Sequence, residues 1–262
     1  MQLPIDYMRP LNRRDFCLCL GCSATAFAAR AEESPLYTCN LSFDALASTV
    51  DKSTIRPLDF LKQNFANGLK PVVTDITDFL GITLDLFTYE DGKAPNAAFT
   101  ADQTYRPPDW TGQGAEDGII LLGKSFIREL EAYFGSLGAP LTAVCAHEAG
   151  HALQAKYGLG DWGKYASKPE DDFHEDRYEL CADFICGYVA HHRRTIDKSY
   201  PAALQAVTQF NKGNEMPQGH GTFKQRGDAV AAGYRLGRTG IKNSKAALEA
   251  GLAHVFAVQF NK

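Results

Sequence analysis

PLTAVCAHEAGHALQAKYG, residues 140–158, decides how the chain is read, because it sets two histidines and a glutamate inside a run that is otherwise apolar or small. Pro140 suits the first turn of a helix, where its missing N–H costs nothing, and Gly158 suits the end of one. Leu141 to Tyr157 is therefore expected to form a helix of about four turns. At 3.6 residues per turn, His147 and His151 differ by about 40° in direction and one turn in height, so both imidazoles can reach one ion. Glu148 stands beside that face without joining it. Its carboxylate can then touch a water next to the ion rather than the ion itself.

Metal-assisted hydrolysis needs this division of labour. Zinc lowers the pKa of a bound water to about 7 and polarises a carbonyl, while a carboxylate takes the water's proton and passes it to the leaving group. A catalytic zinc site also needs a third protein ligand and an open fourth position. Glu179-Leu180-Cys181-Ala182-Asp183 offers two carboxylates at an i, i+4 spacing, within the apolar-rich run from Leu180 to Val189 that reads as a buried helix. Acidic side chains pointing into a core are costly unless paired or metal-bound. Glu179 is assigned to zinc, and Asp183 to a place behind it, accepting a hydrogen bond from a ligand histidine and fixing its tautomer. Spacing alone leaves the reverse assignment open. Glu175 and Asp176 stand in a polar run and read as solvated.

Working outward, residues near 42–53 and 57–80 carry helical spacing, with Leu58, Leu61, Phe65 and Leu69 on one face. Residues 82–89 alternate apolar and polar, which suits a strand, as does Ala97 to Thr100. Gln103 to Gly118 is a loop by its proline and glycine punctuation. Tyr105 and Trp110 in it read as anchors to the core, with a place in a substrate cleft as the alternative. Gly118 to Gly123 is a short strand, and Ser125 is expected to cap a helix running to about Phe134. His191-His192-Arg193-Arg194 reads as a helix end, where cations suit the carboxyl-terminal dipole. The class expected is α+β, with a small sheet against the motif helix and a second helix bringing in Glu179.

At the other end, Arg13-Arg14 precede an uncharged stretch, Phe16 to Ala29, too short to span a bilayer, and Ala29-Arg30-Ala31 offers a cleavage site. Asn12 to Leu18 resembles a twin-arginine export signal, which implies a bacterial periplasmic or secreted protein. A general secretory signal, a plain first helix and lipid attachment at Cys22 are the alternatives. Residues 1–31 are thus read as a signal and 32–262 as one domain, whose residues 32–93 carry no legible chemistry. Cys17, Cys19 and Cys22 fall in the removable segment. Cys39, Cys145, Cys181 and Cys186 remain, to pair in an oxidising compartment or to stay as buried thiols, with Cys181 and Cys186 pointing to different sides of one helix.

Of 262 residues, 45% are hydrophobic and 22% charged, and the formal charge is -4 with no long basic block. That composition allows a real core and argues against nucleic acid or an anionic membrane as the main partner.

Asn96 to Phe99, Asp117 to Leu121, Ser125 to Leu130, Ala146 to His151 and Glu179 to Gly187 resemble, in order, the motifs of the neutral zinc metallopeptidase family. His220-Gly221-Thr222-Phe223-Lys224-Gln225-Arg226, followed by Gly233-Tyr234, looks like that family's closing motif, so the resemblance spans roughly residues 94 to 237. It implies a zincin-like fold, a Zn2+ cofactor and peptides or proteins as substrates. The plan is also similar to the membrane-embedded CAAX-protease type of gluzincin. That similarity implies that His220 reaches the site as an oxyanion donor, and that Arg226 pairs with a carboxylate such as Asp183. The sequence departs from the family in a longer loop from Gln103 to Glu116 and in Thr100 where Cys is expected, which leaves Cys39 without an obvious partner. A non-catalytic zinc-binding envelope or interaction protein is the competing class. Glu148 argues against it, since a structural site has no use for a base and fills all four positions.

Overall fold

Ile119-Ile120-Leu121-Leu122 has no polar position, and in the computed structural model of the protein it forms an inner strand of a sheet covered on both faces. The structure describes residues 50–58, 63–92, 96–107, 109–111, 114–135, 137–157, 175–194 and 221–257, all within one compact unit, Leu36–Lys262. Among these, four strands and six α-helices follow one another as β1 (Arg56–Pro57), α1 (Gln63–Leu80), β2 (Asp85–Tyr89), β3 (Ala97–Thr100), β4 (Ile119–Gly123), α2 (Lys124–Phe134), α3 (Gly138–Lys156), α4 (Glu175–Arg193), α5 (Phe223–Gly237) and α6 (Ser244–Phe256). The architecture is α+β.

The sheet is mixed, in the order β1-β2-β4-β3. β2 runs parallel to β4 with Phe87 opposite Leu121, while β3 runs antiparallel to β4 with Ala98 opposite Leu121. Side chains alternate across a strand. Ile120 and Leu122 accordingly face Leu141, Val144 and Cys145 of α3 together with Leu69 and Val73 of α1. Ile119 and Leu121 face the other way, into a cluster of Val50, Ile55, Phe87, Tyr89, Ala98 and Tyr105 against which Trp110 packs. Tyr105 and Trp110 thus anchor the loop, and the Trp110 ring meets the Phe87 ring edge-on at 5.1 Å.

Several boundaries differ from the sequence reading. α1 is described from Gln63, residues 59–62 lie outside the described residues, and Leu58 is buried. Of the stretch 42–53, residues 42–49 lie outside the described residues, and Asp51 caps a single 3-10 turn at Lys52–Thr54. β2 begins only at Asp85, because the Thr83 N–H is drawn off to the Asp117 carboxylate at 2.8 Å. Ser125 does not cap α2. The Asp91 carboxylate does, accepting from the N–H groups of Ser125 at 2.8 Å and Phe126 at 2.9 Å. Helices α5 and α6 went unread, although Thr222 and Gln225 close a reciprocal capping box at the head of α5. Cys145, Cys181 and Cys186 are buried free thiols, and Cys39 lies outside the described residues.

α4 and α5 cross with their backbones in close approach. A Cβ at Gly187 would overlap the Val230 carbonyl oxygen, and one at Gly233 would overlap that of Phe184. Because both obstacles are backbone, no side-chain rotation relieves the clash. Gly233→Ala is expected to push the helices apart and to destabilise the protein by about 1–3 kcal/mol in urea unfolding. Gly68→Ala, in α1 with open space around it, is expected to stabilise by about 0.5–1 kcal/mol, as Ala does in an unhindered helix.

Candidate metal centre

α3 has no solvent face over most of its length. Residues 140–154 are all buried, between β3 and β4 on one side and α1, α4 and α6 on the others. A helix buried all round shows no amphipathic stripe. The two histidines and the glutamate are therefore interior residues, with His147 at 7%, Glu148 at 1% and His151 at 5% exposure. Gly150 lets α4 come close, since a Cβ there would stand 2.9 Å from the Ala182 Cα. Ala182 lies between Glu179 and Asp183, so this contact brings both carboxylates to the histidines.

Glu179 reaches both rings. One carboxylate oxygen lies 3.1 Å from His147 Nε2 and the other 3.4 Å from His151 Nε2. The two Nε2 atoms are 3.1 Å apart. Asp183 sits behind His147, with Oδ1 3.0 Å from Nδ1. Arg226, at the start of α5, clamps Asp183 from the far side, donating from Nε at 2.7 Å and from Nη2 at 2.9 Å. Between the two carboxylates that spacing could not separate, the structure thus places Glu179 at the convergence and Asp183 behind a ring.

These partners assign the tautomers. A carboxylate without a proton can only accept, so His147 Nδ1 donates to Asp183. His151 Nδ1 lies 2.8 Å from Gln154 Oε1, and the amide is fixed in that sense because its Nε2 donates to the Tyr178 carbonyl at 2.8 Å. His151 Nδ1 therefore donates too. In the neutral rings both Nε2 atoms then turn lone pairs toward each other and toward a carboxylate, an arrangement that favours a cation in their midst. The ligand atoms of His147, His151 and Glu179 all lie within 4.8 Å of one another. A tetrahedral centre with bonds of about 2.0–2.1 Å has edges of roughly 3.3–3.4 Å, close to the spacings seen, so these donors fit a small divalent ion.

The surrounding charges are held in fixed states. Burial works against the Asp183 charge, but Arg226 and the His147 N–H outweigh it and hold the carboxyl below its ordinary range. Tyr178, whose ring stacks on His151 at 4.6 Å, has its phenol pushed up by burial and by the Glu179 and Glu148 carboxylates, so it stays protonated. Burial pushes the Cys181 thiol up to about 12, which makes it inert. Glu148 is buried in the same helix, and its charge is felt at both Tyr178 and Cys145.

His220 lies outside the described residues, as do Arg13, Arg14 and Cys22 of the segment read as an export signal, and the side chains of Glu175 and Asp176. Sequence reading missed Gln154, Tyr178 and the Gly150 contact. Gln154 was marked only by being polar within an apolar helix three residues after His151.

Arg226→Ala is expected to leave Asp183 charged and buried without its clamp, at a cost of about 3–5 kcal/mol at neutral pH. Because the folded pKa lies below the unfolded value, the clamp stabilises fully above about pH 4 and its contribution fades as pH falls through the folded value. Urea unfolding of wild type and variant should therefore converge in acid. A difference that does not change with pH would mean that Arg226 acts by packing alone.

Compared with family models, with curated proteins and with solved structures, the chain matches none.

Proposed function

We propose that this chain is a zinc-dependent peptidase of zincin-like plan, in which His147, His151 and Glu179 hold the metal and Glu148 is the general base. The observation that carries this reading is the convergence of two lone-pair-bearing Nε2 atoms and one carboxylate within 3.1–3.4 Å, with Glu148 next to the first of them in sequence. Three protein ligands among the described residues suit a catalytic site better than a structural one, which would supply four. Zinc bound there would supply Lewis acidity, lowering the pKa of a water to about 7 and polarising a carbonyl.

The remaining steps belong to the chain. Glu148 takes a proton from the attacking water on its carboxylate and returns it to the leaving nitrogen. Burial of the whole α3 face keeps that carboxylate from being solvated away from its task. Asp183 and Arg226 keep His147 in the Nδ1–H form, so that Nε2 stays a ligand. His220 is assigned the donor to the oxyanion by the resemblance to gluzincins. Peptides are the substrate class on the same resemblance, and export through the twin-arginine segment to the periplasm or beyond completes the reading.

Zinc content and cleavage of a peptide library, measured for the purified full chain, test it. Wild type is expected to carry one zinc per chain and to cleave. Glu148→Gln is expected to keep the zinc and to lose about 10²–10⁴-fold in rate, the usual worth of a positioned base. Unchanged cleavage with zinc in place would remove the mechanism, and zinc without any cleavage in wild type would favour a non-catalytic zinc protein. For the export reading, replacing Arg13 and Arg14 by lysine is expected to hold uncleaved precursor in the cytoplasm of a bacterial host, seen by fractionation. Normal secretion of that variant would remove it.

A further inference from the structure

We infer that Gln154 is a positioning residue for the metal centre, acting through His151: it sets that ring's tautomer and ties the ring to the helix that carries the third ligand. The inference rests on the reading of His147, His151 and Glu179 as a metal site, and not on peptide hydrolysis.

Gln154 is fully buried, at 0% exposure, and an amide in such a place needs partners for one acceptor and two donors. Its Oε1 accepts from His151 Nδ1 at 2.8 Å, and its Nε2 donates to the Tyr178 carbonyl at 2.8 Å. Tyr178 stands next to Glu179 on α4. One side chain of α3 therefore holds α4 beside the third ligand while holding the second ligand's ring. The Tyr178 carbonyl also prevents the amide from flipping, because a flipped amide would set oxygen against oxygen. His151 consequently has only one tautomer that is not repelled, the one with its lone pair on Nε2. The Tyr178 ring stacked on the imidazole limits the remaining freedom, rotation about the ring plane.

The two ligand histidines are thus supported in different ways. His147 donates to a carboxylate held by a guanidinium, and His151 donates to a neutral amide held by a backbone carbonyl. A carboxylate makes an imidazole a stronger donor to metal than an amide does, since it draws the Nδ1 proton further from the ring. Gln154 holds the geometry of His151 without adding a further negative charge to a site that already has Glu179 and Asp183.

The test uses the full chain labelled with 15N. In the metal-free protein, long-range 15N–1H correlation separates protonated from bare ring nitrogens, with His151 assigned by its loss in His151→Gln. Zinc affinity is measured separately, by competition with a chromophoric chelator. Wild type is expected to show Nδ1–H at His151. Gln154→Leu is expected to move His151 toward the Nε2–H form and to weaken zinc binding about 10–100-fold, the range for removal of such partners. Gln154→Glu keeps the acceptor and is expected to keep Nδ1–H, with a smaller loss of affinity. A merely structural role for Gln154 would leave the tautomer unmoved. Nδ1–H persisting in folded Gln154→Leu, or zinc affinity there within about twofold of wild type, would overturn the inference. Should Gln154→Leu fail to fold, Nε2–H at His151 in Gln154→Glu would overturn it and Nδ1–H would support it. Wild type that binds zinc without cleaving any peptide would defeat the peptidase reading and leave this comparison intact. Wild type that binds no zinc would defeat the site reading itself, while the tautomers would still report whether Gln154 orients His151.

Discussion

Two carboxylates on one helix, Glu179 and Asp183, are buried, and the fold around them is arranged to balance their charge. Removing an ion from water costs several kcal/mol even after relaxation, and a buried pair recovers this only with close geometry and full hydrogen bonding. Asp183 meets that condition twice over, with a forked guanidinium on one side and an imidazole N–H on the other. The forked bond requires α5 to come within backbone contact of α4, and the glycines at 187 and 233 allow that approach. The imidazole requires the same of α3, and Gly150 against Ala182 allows it. Close helix crossings and charge compensation are here one constraint seen from two sides.

Glu179 is balanced differently. Its two carboxylate oxygens face the Nε2 atoms of His147 and His151. A cation bound there would neutralise the carboxylate and relieve the repulsion between the rings at the same time. Ion binding is then linked to stability, because an ion that prefers the folded chain lowers the free energy of that state. The same logic explains why both Nδ1 atoms are committed elsewhere. An imidazole free to choose would place its proton on Nε2, between the rings, and satisfy the site without any ion.

The parts of this arrangement that were legible in the sequence are those with short-range signatures. Two histidines one turn apart, a proline before them and two acids at a helical spacing in an apolar run are local patterns, and each lies where the spacing placed it. What was missed depended on distant partners. Ser125 looked like a cap because serine caps helices, yet the group that fills the role is Asp91, 34 residues earlier in sequence. Helices α5 and α6 escaped notice because alanine and glycine dilute their apolar faces, and those small residues are what the tight crossings require. α3 gave no hint of which face met which neighbour, since a helix covered on all sides has no periodicity to read. For Gln154, local spacing pointed to His151 but could not show the α4 backbone waiting on the other side.

The placement of the candidate ligands also limits what can disturb them. His147, Glu148 and His151 share one buried helix, and Glu179 and Asp183 share another, so their relative positions follow from one helix-to-helix contact and the regular rise of each backbone. Packing density makes such a contact stiff: interiors close-packed to crystal density transmit a displacement rather than absorb it. A change at Gly150 or Ala182 would therefore move the third ligand bodily away from the first two, with no side-chain torsion able to restore the distance. Chemistry held in helix interiors is thus fixed by backbone packing more than by any single side-chain torsion.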